Sequence, residues 1–295
     1  MGTRWFNSVV VLFWLGTMGW LVTSKILPPM MRGDPPTYQA TLPAEGEQAE
    51  IVGWTVHWNG RRIGNAASAA ERDDDVTTTT SRVALESLPL NEILPMLGHL
   101  VKMFSGRGNL QGIDVRTRMN FAYGGLHSFR STIRVAELPD RFELRGTVKG
   151  TELALELKLG SAPSHRVKTV LPPDAIVSEQ FAPLAQLRGI HLGQTWTVPV
   201  CSPMNPGRPL EILQAKVESE ERLVWNGREQ MVWVVVYRDD AGTSSAARSR
   251  DRTKMWVAHD GRVLQQEIFI SGGLLRFVRA SGDHAEQLRK FLKEH

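Results

Sequence analysis

The sequence predicts a mainly β protein. The expected architecture is a large antiparallel curved sheet or (half) barrel with one short helix, preceded by an N-terminal transmembrane helix. Three observations carry this expectation. Apolar and polar residues alternate with period two along many short segments between 51 and 280. Turn dipeptides separate several of them, notably Asn59-Gly60, Asn226-Gly227 and Asp260-Gly261. One apolar run, Val9 to Leu27, stands ahead of them all and carries a single charge, Lys25. Alternation places one face of a strand in a core and the other in water. Asn-Gly accepts the positive φ that a two-residue hairpin needs.

The N-terminal run bears on location. As a helix its 19 residues would span about 28 Å, close to the hydrocarbon thickness of a bilayer. Residues 1–8 form a short tail, 9–27 read as a retained signal anchor, and 28–50 form a Pro- and Glu-rich linker. A cleaved signal peptide would need a small-residue site, and Ser24-Lys25-Ile26-Leu27-Pro28-Pro29 offers none. A lipoprotein anchor would need a cysteine after the run, whereas the only cysteine is Cys201. A buried core helix is the third alternative. Arg4 on one side and Lys25 with Arg32 on the other leave orientation nearly undetermined by charge. The expectation is a single-pass membrane protein with residues 51–280 outside the cytoplasm.

Within 51–280, Trp54, Val56 and Trp58 share one face of a first strand, and Asn59-Gly60 turns the chain into Arg61–Ala70. Arg72-Asp73-Asp74-Asp75 reads as a turn before a threonine-rich strand, Val76–Leu85. Leu90, Ile93, Leu94, Leu97, Leu100, Val101 and Phe104 then recur at helical spacing, with Asn91 as N-cap and Gly106 just beyond the end. This predicts a short amphipathic helix over 90–104. Strands resume at Gly112–Ala122, Leu126–Ala136, Phe142–Val148, Glu152–Leu159 and Arg166–Leu171. In the fourth of these, Leu153, Leu155, Leu157 and Leu159 mark the core face. A connector follows to Leu192. A second series comprises Thr195–Val200, Leu210–Val217, Arg222–Trp225, Met231–Tyr237, Thr253–Ala258, Val263–Ile270 and Leu274–Ala280. Residues 281–295 form a C-terminal helix or tail, with Ser281 or Asp283 as cap.

Composition narrows the chemistry. The 295 residues carry a net charge of +4, and the surplus arginines are scattered. The densest cluster, Arg248 to Arg252, follows a small polar run and reads as a solvated loop. A basic face with interleaved aromatics is lacking, so no nucleic acid partner is expected. The eight histidines show none of the H-x-H, H-x-x-x-H or H-E-x-x-H spacings, so no metal and no cofactor are expected. Asp73-Asp74-Asp75 lacks the spacing of a calcium loop. Glu220 and Glu221 would point to opposite sides of a strand and so fail as an acid/base pair. His259, beside a hairpin turn, reads as a strand-end histidine rather than a proton carrier. Cys201 reads as a packed small residue. There is no G-x-S-x-G elbow, and no catalytic residue is assigned.

The tryptophans remain. Trp54, Trp58, Trp196, Trp233 and Trp256 fall on predicted strands. They fill a wide β core or line an apolar ligand cavity, and alternation fits both. They are the ligand-binding candidates.

One resemblance adds to this. Val56-His57-Trp58-Asn59-Gly60-Arg61-Arg62-Ile63-Gly64, Phe181-Ala182-Pro183-Leu184, Leu187-Arg188-Gly189-Ile190-His191-Leu192-Gly193-Gln194-Thr195-Trp196 and Met255-Trp256-Val257-Ala258-His259-Asp260-Gly261-Arg262-Val263-Leu264 occur in this order. Over roughly 51–280 they resemble the 3108 family of domains of unknown function. The family has Asp-Pro-Leu where this chain has Ala182-Pro183-Leu184, and a late proline that is missing after Val263-Leu264. The resemblance implies an antiparallel β domain of the bacterial cell envelope, with no known catalysis. Lipoprotein-carrier half barrels look similar in strand content and location.

The expected function is therefore a membrane-anchored, non-enzymatic binding or scaffolding domain of the envelope, in contact with lipid or an envelope protein. Two alternatives stand beside it. A lipid or hydrophobic-ligand carrier predicts an apolar cavity of about 300–1,000 Å³. An envelope hydrolase predicts titratable side chains converging in a cleft.

Overall fold

The computed structural model describes residues 2–21, 41–42, 50–73, 75–88, 110–122, 125–136, 138, 140–172, 175–177, 183–201, 210–239, 251–270 and 273–293. The helix expected over 90–104 lies outside these residues. Helix α1 (Gly2–Leu21) precedes two meanders. The first is β1 (Val52–Trp58), β2 (Arg61–Asp73), β3 (Val76–Leu88), β4 (Leu110–Ala122), β5 (Gly125–Val135), β6 (Phe142–Lys149), β7 (Glu152–Leu159) and β8 (His165–Val170). The second is β9 (Ile176–Val177), β10 (Thr195–Cys201), β11 (Leu210–Trp225), β12 (Arg228–Asp239), β13 (Asp251–Ala258), β14 (Val263–Ile270) and β15 (Gly273–Arg279). Helix α2 (Gly282–Lys293) ends the described chain.

The strands form one 15-stranded sheet in the order β8 to β1, then β15 back to β9. Every neighbouring pair is antiparallel except β9 with β10, which is parallel. The meanders join where β1 pairs β15, setting Trp54 opposite Arg279 and Val56 opposite Phe277. The hairpins follow the turn chemistry. Asn59 and Asn226 adopt φ of 48° and 52°, each followed by a glycine at positive φ.

The sheet is open but strongly curved. Inward side chains of the first arm (Val83, Ile113, Ile133) pack in one cluster with those of the second (Trp196, Leu213, Val235). Cumulative strand twist bends a sheet this wide around its own apolar face. The edge strands β8 and β9 are joined through residues 171–175. There Leu171, Ala175 and Val177 meet Leu144, Leu153 and Leu155 in a second cluster. A third cluster lies on the other face of β12–β14, where Val232, Val234, Val236 and Trp256 pack with Leu223 and Trp225. Strand β12 is thus buried on both sides. Close approach is built in at Gly146, which lies opposite Phe129. A Cβ there would stand 2.0 Å from the Phe129 ring.

Several expectations need correction. The turn predicted over 72–75 is tighter, because Asp73 still belongs to β2. The two strands expected over 210–217 and 222–225 are one. A bulge between Val217 and Ser219 absorbs the change of face that breaks the sequence pattern. Arg252, expected in a solvated loop, lies on β13 and pairs with Asp239 at 2.7 Å. The connector contributes β9 and an isolated bridge, Gln186 with Arg262. Helix α2 starts at Gly282, so Asp283 lies inside its first turn. Helix α1 starts at Gly2, taking in the polar Arg4, Asn7 and Ser8, and its described part ends at Leu21. Residues 22–27 of the expected span lie outside the described residues. No described helix is long and apolar enough to cross a membrane. The side chains of Leu12, Phe13 and Trp20 on α1 are 68%, 76% and 64% exposed.

The outward face of β1–β3 is covered by α2. Leu288 sits over Gly53, whose missing Cβ leaves room for it. Arg82 donates from Nη1 to the Phe291 carbonyl at 2.6 Å. On the same face His57 stands in register between Arg62 and Arg276. Burial, then Arg276 and Arg62, pushes its pKa below the ordinary 6.5. The unfolded chain therefore binds a proton near pH 6.5 that the folded chain still refuses. Stability is full above that pH and declines as pH falls from 6.5 through the lowered folded value. Urea titrations between pH 7.5 and 5.5 should show this decline, and His57→Gln should flatten it. An equal slope in both proteins would refute the assignment.

Candidate functional site

An interior cavity of about 270 Å³ lies between the two arms, just under the lower end of the expected range. One wall comes from β2–β4, through Ser68, Ala70, Thr79, Met119 and Phe121. The other comes from β10–β14, through Val198, Leu213, Tyr237, Met255 and Ile268. The connector closes one side with residues 183–186. The space exists for a legible reason. Strand β2 carries Ala66-Ala67-Ser68-Ala69-Ala70, and β3 answers with Thr77 to Thr80. The members of these runs that face inward, such as Ser68, Ala70 and Thr79, are too short to meet the opposite wall. A wider depression of about 880 Å³ at the rim, between Gly64, Leu85, Ile113 and Val135, is more open to solvent.

The interior lining is mainly apolar with a few polar groups. The Ser68 Oγ is buried and without a hydrogen-bond partner among the described residues. Tyr237 is 6% exposed and stands edge-on to Trp196, with ring centroids 6.0 Å apart. Burial raises its phenol far above the ordinary range, so it remains a neutral donor. Gln266 accepts the Leu184 N–H at 3.0 Å and so fastens the connector to β14.

Arg279 marks the cavity edge. It donates to the Ala185 carbonyl at 2.9 Å and to Glu50 Oε1 at 3.2 Å. Arg262, also in the lining, pairs with Asp260 at 2.7 Å.

None of the five candidate tryptophans is in this lining. Trp54 and Trp196 are buried in the main core, and Trp58 and Trp233 pack against it half-buried. Trp256 lies on the opposite face, with Lys254 Nζ 4.6 Å from its ring centroid. Trp54 acts one layer behind the cavity, its ring 6.0 Å from the Arg279 guanidinium carbon. Ser68, Tyr237, Gln266 and Arg279 were not anticipated. The signals for them were the small-residue run in β2 and an arginine falling two positions beyond Phe277 on an inward face.

The other constellations resolve simply. His259 Nε2 lies 2.9 Å from Glu220 Oε1, and its ring is 4.7 Å from that of Trp233. Glu220 pairs across from Trp233 and Glu221 from Val232, on opposite faces. Cys201 is fully buried, and burial pushes its thiol up to about 11. Asp74 lies outside the described residues, so the expected Asp73–Asp75 turn is described only at its ends.

No family model matches the chain, and no curated protein matches it. The resemblance to the 3108 family therefore gains no support. Among solved structures, the chain is similar to a beta-barrel-like protein of domain of unknown function DUF1849 from Brucella abortus. The two share 10% identity over 79% of this chain and 96% of that one, with a TM-score of 0.46.

Proposed function

We propose that this is a membrane-tethered, non-enzymatic binding protein whose β domain holds a small hydrophobic ligand between its two arms. The observation that carries this reading is the cavity itself, a mainly apolar space whose lining includes Ser68, with a buried Oγ that has no hydrogen-bond partner among the described residues. A buried hydroxyl without a partner costs about 1–3 kcal/mol, so such groups are retained where something else completes them. Few convergent polar groups in an apolar cavity are the usual make-up of a ligand site. The protonated, enclosed Cys201 thiol favours binding over nucleophilic chemistry.

Residues 9–27 would supply the tether, and the exposed apolar side chains of α1 support it. The β domain is placed outside the cytoplasm, in the cell envelope. A reporter fused to the C-terminus and active only outside the cytoplasm tests this, and activity of a cytoplasmic reporter would overturn it.

Occupancy is tested by organic extraction of the purified full-length chain and mass spectrometry of the extract. An approximately equimolar amphiphile is expected. Ala70→Phe projects a ring into the space from β2 and should reduce that amphiphile at least tenfold while leaving the circular dichroism unchanged. Equal recovery from both proteins would place the ligand elsewhere.

A further inference from the structure

We propose that the cavity selects anionic single-chain amphiphiles, with the Arg279 guanidinium binding the acid group in place of Glu50. This rests on the reading of the cavity as a ligand site and names the ligand class.

The ion pair of Arg279 with Glu50 is asymmetric. The side chain of Arg279 is 5% exposed, yet the carboxylate paired with it, on Glu50, is 61% exposed. Removing a cation from water is expensive unless its counter-ion accompanies it. The pair of Glu267 and Arg276 shows the opposite arrangement, with the carboxylate 9% and the arginine 40% exposed. Glu267 is held on β14, whereas Glu50 precedes the first strand. The Glu50 carboxylate can therefore swing into water without disturbing a strand, and another carboxylate can take its position.

Arg279 is fixed where it stands. Its backbone pairs with Trp54 across β1 and β15, and its carbonyl accepts the Trp225 Nε1–H at 2.9 Å. The side chain is held by the Ala185 carbonyl and faces the Trp54 ring. A guanidinium carries five N–H donors in a planar fork suited to a carboxylate. Among the described residues, the bonds to Ala185 and Glu50 leave further donors of Arg279, which lines the cavity. Beyond them the lining turns apolar through Val198, Leu213, Met255 and Ile268. A charged end at Arg279 and an alkyl tail along that wall match this distribution.

The test uses the full-length protein in phosphatidylcholine nanodiscs, with empty discs as blank, and equilibrium dialysis of two probes, octanoate and 1-octanol, at pH 8. Octanoate should bind at least tenfold tighter than 1-octanol. Glu50→Gln removes the competing carboxylate at an exposed position and should tighten octanoate severalfold while leaving 1-octanol unchanged. Arg279→Gln should bring the two probes to equal affinity. Equal affinities in the unaltered protein would overturn the headgroup assignment and leave the cavity reading standing. Unchanged octanoate affinity in Glu50→Gln would overturn the displacement by the ligand. Binding of neither probe would overturn the cavity reading itself.

Discussion

Replacing Trp54 with alanine should lower the free energy of unfolding by about 3–5 kcal/mol, as for other buried large aromatics. Trp54 is fully buried and sits on β1, the strand that joins the two arms. It pairs with Ala66 on one side and Arg279 on the other. Truncation therefore opens a hole at the seam of the sheet, where small neighbours such as Ala66 cannot collapse into it. Phe in place of Trp separates two terms. The Trp54 Nε1–H is buried without a hydrogen-bond partner among the described residues. Removing an unmet donor of this kind recovers about 1–3 kcal/mol, which offsets part of the lost volume. Trp54→Phe should therefore cost within about 1 kcal/mol in urea denaturation, well short of the alanine variant. Equal losses for both variants would mean that the indole nitrogen, not the volume, stabilises the seam. The alanine variant should also loosen Arg279 and weaken octanoate more than 1-octanol.

Much of the local structure is legible because it depends on near neighbours. Asn59-Gly60 and Asn226-Gly227 define their hairpins through backbone geometry alone, and the strands they join follow in register. Leu153 and Leu155 announce a core face through period two, and both are buried. What escapes such reading depends on distant partners. Nothing near Trp54 indicates that Arg279, 225 positions away, lies opposite it. Strand β9 has two residues and exists because β10 offers it an edge. The bulge in β11 erases the alternation that would have marked one long strand.

The site shows the same division more sharply. A cavity is a deficit of volume across a fold, and no single strand records it. Tryptophans are conspicuous in a sequence, but large side chains fill space. The residues that leave the cavity open are those of its lining too small to reach across it, such as Ala70, Thr79 and Ser68. Their small size was visible, yet its consequence required knowing that β2 and β3 face β12 and β13. Arg279 was equally visible as the polar member of an inward series with Leu275 and Phe277. An inward arginine on a strand otherwise apolar on that face is the sequence feature on which the proposed headgroup contact rests.

Leu153→Ala should cost about 2–5 kcal/mol, and its effect should be unevenly distributed. Leu153 is fully buried in the second cluster, with Leu144, Leu155 and Phe129 from one arm and Val177 and Cys201 from the other. That cluster ties the edge around β7 to β9 and β10, because β8 and β9 do not pair. Strand β8 is itself largely exposed and, among the described residues, pairs with β7 alone. Loss of the Leu153 side chain removes packing from this end while leaving the double-sided burial of β12 intact. Local opening free energies follow buried apolar contact. Native-state hydrogen exchange should therefore show faster exchange of β6–β8 amides, such as Leu155 and Val167, in the variant. Amides of Val234, Val235 and Val257 should still exchange only by global unfolding. A uniform loss of protection over all these strands would show that the sheet opens as one cooperative unit and that its two arms are not separable in energy.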